Sequence, residues 1–225
     1  MGQVEGGADT FIDGLLDAVG TQGLAAVPTH TWGTVRAKSP VFHHRLHPSI
    51  VGRISEVFRR RADAHRSLHP THSVAAIGAG AAEFVAGHCQ TTPCDRDSPY
   101  GRLVAARGGV LFVGVDLSCW TLVHAFEEWA PVPWVFDRWE QLYTVCDGGR
   151  VISVPSRRHT SDPKCERDYP ALEPLLRQHG LIRYGSLGAA TLRWVDAAGA
   201  AGLLVPLMCR RPDLVLGRRA APVAG

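Results

Sequence analysis

Two segments of this 225-residue chain bring proton-transferring side chains close together. In Arg66-Ser67-Leu68-His69-Pro70-Thr71-His72-Ser73-Val74, two histidines and three hydroxyls lead into an apolar run. In Thr121-Leu122-Val123-His124-Ala125-Phe126-Glu127-Glu128, a histidine and a carboxylate stand three positions apart, which on a helix is one face. Histidine has an ordinary pKa of about 6.5 and suits a general base. A carboxylate in hydrogen-bond reach would fix its tautomer and stabilise the imidazolium. His72, where a loop enters a strand, is the candidate base, although on the residues alone a side chain satisfying loop backbone groups is the plainer reading and only the wider motif context favours the base. His69 competes, but Pro70 beside it suggests a structural turn. Glu127 is the candidate orienter, ranked above His124, which could bind substrate or support Glu127. Glu128 reads as solvated helix face.

The elements that must position these groups follow from hydrophobic periodicity. Residues 8–20 predict an amphipathic helix closed by Gly20, then a strand over 24–29. Residues 31–48 read as a loop, 50–61 as a helix, 65–72 as a loop broken by Pro70, and 73–77 as a strand. A small-residue helix is expected over 78–87 and a loop over 88–99. The run Gly109–Val115 predicts the clearest buried strand, with a helix over 118–130 stopped by Pro131 and Pro133. Residues 141–154 read as a hairpin about Asp147-Gly148-Gly149. A helix over 170–180, strands over 181–187 and 190–195, and a helix over 198–209 complete the chain, with a frayed tail at 217–225. Alternating helices and strands predict an α/β fold: a central mixed sheet flanked by helices, in one domain over residues 1–216.

Composition narrows the function classes. Net charge is +3 and the arginine pairs are scattered, so a nucleic-acid footprint is not expected. No apolar run reaches the roughly 18 residues a membrane span needs, and the start has no secretory pattern. Six cysteines without a C-x-x-C pair predict free thiols in a reducing cytoplasm. Eleven histidines raise the question of zinc, but His43, His44 and His47 lack the cysteine partners of structural zinc sites, so no metal is expected.

The R-S-x-H-P-x-H-S-V run, the S-P-x-G-x-L run at Ser98-Pro99-Tyr100-Gly101-Arg102-Leu103 and the T-x-x-H-x-x-E run occur in this order. With Val4-Glu5-Gly6-Gly7-Ala8 ahead of them, they resemble the aminoglycoside 3-N-acetyltransferase family over roughly residues 2 to 215. The resemblance implies an α/β fold unrelated to the GCN5 acetyltransferases. It implies acetyl-coenzyme A as donor, an amine as acceptor and direct transfer without an acyl-enzyme. It also places His72 at the family's active-site histidine. Members usually open with an earlier strand and an H-S-S-L-like loop; here Met1 falls where the V-x-G-G-A segment begins, so that strand is expected to be missing.

The chemistry then follows from the groups. A protonated amine cannot attack a thioester until a base takes its proton. Gly6 and Gly7 at a helix start could present N–H groups to the coenzyme phosphates, although paired glycines usually mark turns. Arg66, Ser67 and Ser98 are assigned to the pantetheine or its phosphates, with Arg66 equally readable as a surface charge. Asp137 and Glu140, in an irregular stretch with Trp134 and Trp139, could line the acceptor pocket. The partners expected are a small-molecule amine and coenzyme A, without nucleic acid or membrane, in a protein able to form a homodimer. Two other readings stand beside the enzyme: a truncated, inactive or binding-only relative, and a histidine-rich metal-binding enzyme.

Overall fold

The computed structural model describes residues 4–217, which form two compact units. One comprises residues 4–93, 97–99 and 138–158, the other residues 94–96, 100–137 and those from 159 on. The chain opens with α1 (Gly7–Val19), β1 (Leu24–Pro28), β2 (Val41–His43), α2 (Arg53–Phe58), β3 (His65–Arg66), β4 (Val74–Gly78) and α3 (Ala81–Val85). Next come α4 (Pro99–Ala105), β5 (Gly109–Val113), α5 (Val123–Trp129), β6 (Glu140–Val145) and β7 (Val151–Ser156). It closes with α6 (Glu173–Gln178), β8 (Ile182–Leu187), β9 (Ala190–Asp196) and α7 (Ala197–Arg210). The class is α/β, with three three-stranded sheets ordered β1-β4-β3, β2-β6-β7 and β5-β9-β8. Only β2 and β6 pair in parallel among the named strands; the other pairs are antiparallel.

In the first unit, α1 turns its apolar stripe onto the β1-β4-β3 sheet. Ile12 packs with Phe58, Ala75 and Ile77, and Leu16, Val27, Ile54 and Val57 close around them. Burying side chains such as Ile12 and Phe58 contributes about 1.5–3 kcal/mol each. The pairing of β1 with β4 continues past both strands: Thr29 N–H donates to Ser73 O and Thr31 N–H to Thr71 O. The loop that carries His69 and His72 is thereby held as an extension of the sheet.

The second unit builds the β5-β9-β8 sheet and packs α7 against β5 and β9. Asp196 caps α7, its Oδ1 accepting from the N–H groups of Ala198 and Gly199. Trp194 lies so close to Gly109 that a methyl group there would run into the indole ring. After β5, Gly114 turns the chain at φ 68°, and a 3-10 turn over Leu117–Cys119, capped by Asp116, leads to α5.

Several elements differ from the sequence expectation. The stretch read as loop over 31–48 contains β2, with Phe42 buried in a cluster with Val35 and Leu142. Arg66 belongs to β3 and not to a loop, and α4 follows Ser98 where no helix was expected. Helix α5 begins at Val123, because Asp116 and the 3-10 turn take up the start of the 118–130 run. Strand β5 ends at Val113 and is half-open, with Leu111 exposed. Residues 218–225 of the tail lie outside the described residues. No helix among the described residues is long and apolar enough to cross a membrane.

Candidate active site

Helix α5 supplies the carboxylates. Glu127, at i+3 from His124, shares its helix face and turns inward, where it is 0% exposed. A wholly buried carboxylate requires partners, and Glu127 has three. Oε2 meets His124 Nδ1 at 2.7 Å. Oε1 accepts from Arg167 Nε at 2.9 Å and from the Tyr169 hydroxyl at 3.3 Å. The Tyr169 oxygen also stands 3.1 Å from His124 Nδ1.

These contacts assign the tautomer. With an acceptor carboxylate at 2.7 Å, Nδ1 of His124 carries the hydrogen, which leaves the Nε2 lone pair. No hydrogen bond among the described residues goes to Nε2, and the side chain is 19% exposed. Burial by itself would push the Glu127 carboxyl up, but His124 and then Arg167 outweigh it and hold the group below the usual carboxylate range. Burial likewise pushes the Tyr169 phenol well up, as does the Glu127 charge, so it stays a protonated donor.

Glu128, expected on a solvated face, is half-buried as a residue, with its side chain only 5% exposed. Its Oε1 accepts from Cys94 N–H at 2.9 Å and pairs with His159 Nε2 at 2.7 Å. The reason is a loop brought back from far along the chain, which covers that side of α5. The His159 ring lies on the His124 ring, 4.0 Å between centroids and 7° from parallel, and Phe136 stacks on His159 at 5.6 Å. Burial, then Glu128 and Glu127, push the Cys94 thiol well up, so it is not an activated nucleophile. Cys94, Glu128 and His159 each offer a metal-capable atom within 4.8 Å of the others. Here Glu128 spends its Oε1 on the Cys94 amide and on His159.

The first unit holds His72, and its chemistry is different. His30, His69, His72 and His88 are all buried and contact one another as rings, at 5.0 Å for His30–His72 and 4.7 Å for His69–His88. His72 Nδ1 lies 2.9 Å from Thr71 Oγ1, and the residue is 5% exposed. His69 Nδ1 accepts from His72 N–H at 3.0 Å, the local turn expected beside Pro70. Burial holds the His69 pKa well below its ordinary value, with His88 and His30 adding to the effect.

The expected coenzyme residues divide. Gly6 and Gly7 have φ of 75° and 72° and open α1, a left-handed pair that side chains would strain. Arg66 lies inside: it donates to the carbonyls of His44, His47 and Thr29, each at 2.8 Å, and covers the Phe42 ring. Burial, chiefly, lowers its pKa to about 9. Ser67 is also interior, meeting His88 Nδ1 at 2.9 Å and accepting from Val74 N–H, and Ser98 is fully buried. Of the expected acceptor residues, Asp137 is half-buried, and Glu140 pairs with Arg158 at 3.2 Å. Sequence reasoning missed Arg167, Tyr169 and His159. Their only trace was position in a polar loop, and no spacing rule joins them to α5.

The family model described as aminoglycoside 3-N-acetyltransferase matches residues 1–208. Aminoglycoside N(3)-acetyltransferase VII of Streptomyces paromomycinus is 34% identical over 254 aligned residues, covering 99% of this chain and 85% of that protein. The crystal structure of aminoglycoside acetyltransferase AAC(3)-Xa superposes with a TM-score of 0.81 at 29% identity, over 92% of this chain and 82% of that one. A structure described as AAC-IIIb binary with CoASH has the same fold, with a TM-score of 0.77 at 24% identity, over 96% of this chain and 86% of that one.

Proposed function

The chain belongs to the aminoglycoside 3-N-acetyltransferase family, and we propose that it moves the acetyl group of acetyl-coenzyme A to an aminoglycoside amine with His124 as general base. The enzyme class is acyltransferase, and the relatives' names and the CoASH-bound neighbour support donor and acceptor alike. The observation that carries the base assignment is the 2.7 Å bond from Glu127 to His124 Nδ1, with Nε2 left without a hydrogen bond among the described residues.

The residues divide the work in this way. His124 Nε2 takes a proton from the acceptor amine, which frees its lone pair to form the C–N bond. Glu127, kept ionised by Arg167, steadies the imidazolium that results. Tyr169 holds the same carboxylate and so fixes its direction. Acetyl-coenzyme A supplies the thioester carbonyl and the thiolate leaving group. In this reading His72, the base expected from the motif, organises the buried histidine loop of the first unit. Gly6 and Gly7, at the amino end of α1, fit a phosphate of the coenzyme; Arg66 and Ser67, engaged internally, fit it poorly. The acceptor is polycationic, and Asp137 is proposed to favour it by charge; Glu140, already paired with Arg158, fits that role poorly.

The test is release of free thiol from acetyl-coenzyme A with a panel of aminoglycosides, for the wild type and His124→Ala. The expected result is turnover by the wild type and loss of about a hundredfold or more in the variant. Wild-type turnover by His124→Ala would remove the base assignment, and no thiol release with any aminoglycoside would remove the activity.

A further inference from the structure

His159 is neither at the reacting edge of His124 nor one of the groups that hold Glu127, yet it is the ring nearest the base. Its plane is 7° from that of His124 at 4.0 Å. It is also the better anchored of the two. Phe136 and His159 form a backbone bridge, and Thr160 N–H donates to Val135 O at 2.9 Å. Its ring is tied through Nε2 to Glu128 at 2.7 Å, and Phe136 stacks on it.

The need for such a partner follows from the geometry of the base. The bonds from Glu127 and Tyr169 both reach His124 at Nδ1, so they fix one corner of the ring. A ring held at one corner can still tip about that corner, and tipping swings Nε2 away from the incoming amine. The Tyr169 ring meets His124 edge-on, at 83°, and limits one side. A flat surface at van der Waals distance restricts the tilt itself. Misplacement of a reacting group by about 1 Å can cost about a hundredfold in rate.

We propose that His159, held by Glu128, is a positioning residue for the reaction: it sets the plane of the His124 ring and with it the direction of the Nε2 lone pair. The inference rests on His124 being the base. It extends that assignment to a residue about 31 positions along the chain from its own anchor, Glu128.

Two substitutions separate the ring from its hydrogen bond. His159→Gln keeps a polar partner for Glu128 and removes the flat surface. His159→Phe keeps the flat surface and removes the hydrogen bond. Steady-state rates with acetyl-coenzyme A and an accepted aminoglycoside are compared with thermal melts of the same full-length preparations. The expected result is a kcat about tenfold to a hundredfold lower in His159→Gln, with the KM for acetyl-coenzyme A within about twofold of wild type, and recovery of most of kcat in His159→Phe.

Wild-type kcat in His159→Gln overturns the inference. So does a kcat in His159→Phe as low as in His159→Gln. Loss of a cooperative melt in either variant also overturns it, since His159 would then be holding the fold and not the base. His124→Ala is measured alongside. If it is active, the base assignment fails; if it is inactive while His159→Gln turns over normally, only the positioning role fails.

Discussion

Glu127 and Glu128 are adjacent in sequence, yet each holds a different histidine of one stack: Glu127 binds His124 and Glu128 binds His159. Adjacent residues on a helix point about 100° apart, as 3.6 residues per turn requires. The two carboxylates therefore reach around α5 to two imidazoles that meet face to face. The His124 side chain stays 19% exposed, whereas that of His159 is 5% exposed.

Glu127→Gln keeps the shape of the side chain and removes its charge. The rate of thiol release should fall by about a hundredfold, because an uncharged amide steadies the imidazolium poorly. The same change leaves the Arg167 guanidinium without its buried anion. Stability should drop by roughly 3–5 kcal/mol in urea unfolding. A wild-type midpoint would show that Arg167 finds another partner.

Arg66→Met should act on stability and not on the coenzyme. It would strip three carbonyls, those of His44, His47 and Thr29, of a charged donor. A cost of about 3 kcal/mol or more is expected, at roughly 1–3 kcal/mol for each buried group left unsatisfied. The KM for acetyl-coenzyme A in the folded fraction should stay near wild type. A large rise in KM with unchanged stability would instead return Arg66 to the coenzyme site.

His69 should make the protein acid-sensitive. Its folded pKa is pushed well below the ordinary 6.5, chiefly by burial. Between the two values the unfolded chain binds a proton that the folded chain refuses. Stability is therefore complete above about pH 6.5 and declines as pH falls below it. His69→Asn, which retains an acceptor near the His72 amide, should show a shallower fall in melting temperature from pH 7 to pH 5. An unchanged slope would show that His69 is not the source of the acid sensitivity.

Gly109→Ala should cost roughly 1–3 kcal/mol by overpacking against Trp194, read from the urea midpoint. Trp194→Leu in the same chain should recover part of that loss, since it opens the space the methyl needs.

What the sequence made legible follows from the range of each interaction. The His124–Glu127 pair could be read because helix periodicity joins residues three apart. The strands Leu24–Pro28 and Val74–Gly78 announce themselves by apolar runs, and Ile182–Leu187 and Ala190–Asp196 by the Gly188 turn between them. Strand β2 did not, because only Phe42 of its three residues is buried and too few residues alternate to reveal a period. Glu128 was misread for a related reason. Its environment comes from Cys94 and His159, 34 and 31 positions away, and a local pattern contains no record of them. Arg66 looked like a surface charge because its acceptors are backbone carbonyls, which every sequence has everywhere.

Because neighbouring glutamates in one turn of α5 serve both imidazoles, a single-residue insertion or deletion within that turn would rotate both carboxylates away together. This stretch can thus drift through exchange of side chains but not through change of length. In a library of indels tiled across the gene, a gap of complete intolerance should fall on this turn, even where point substitutions at its outward positions are accepted.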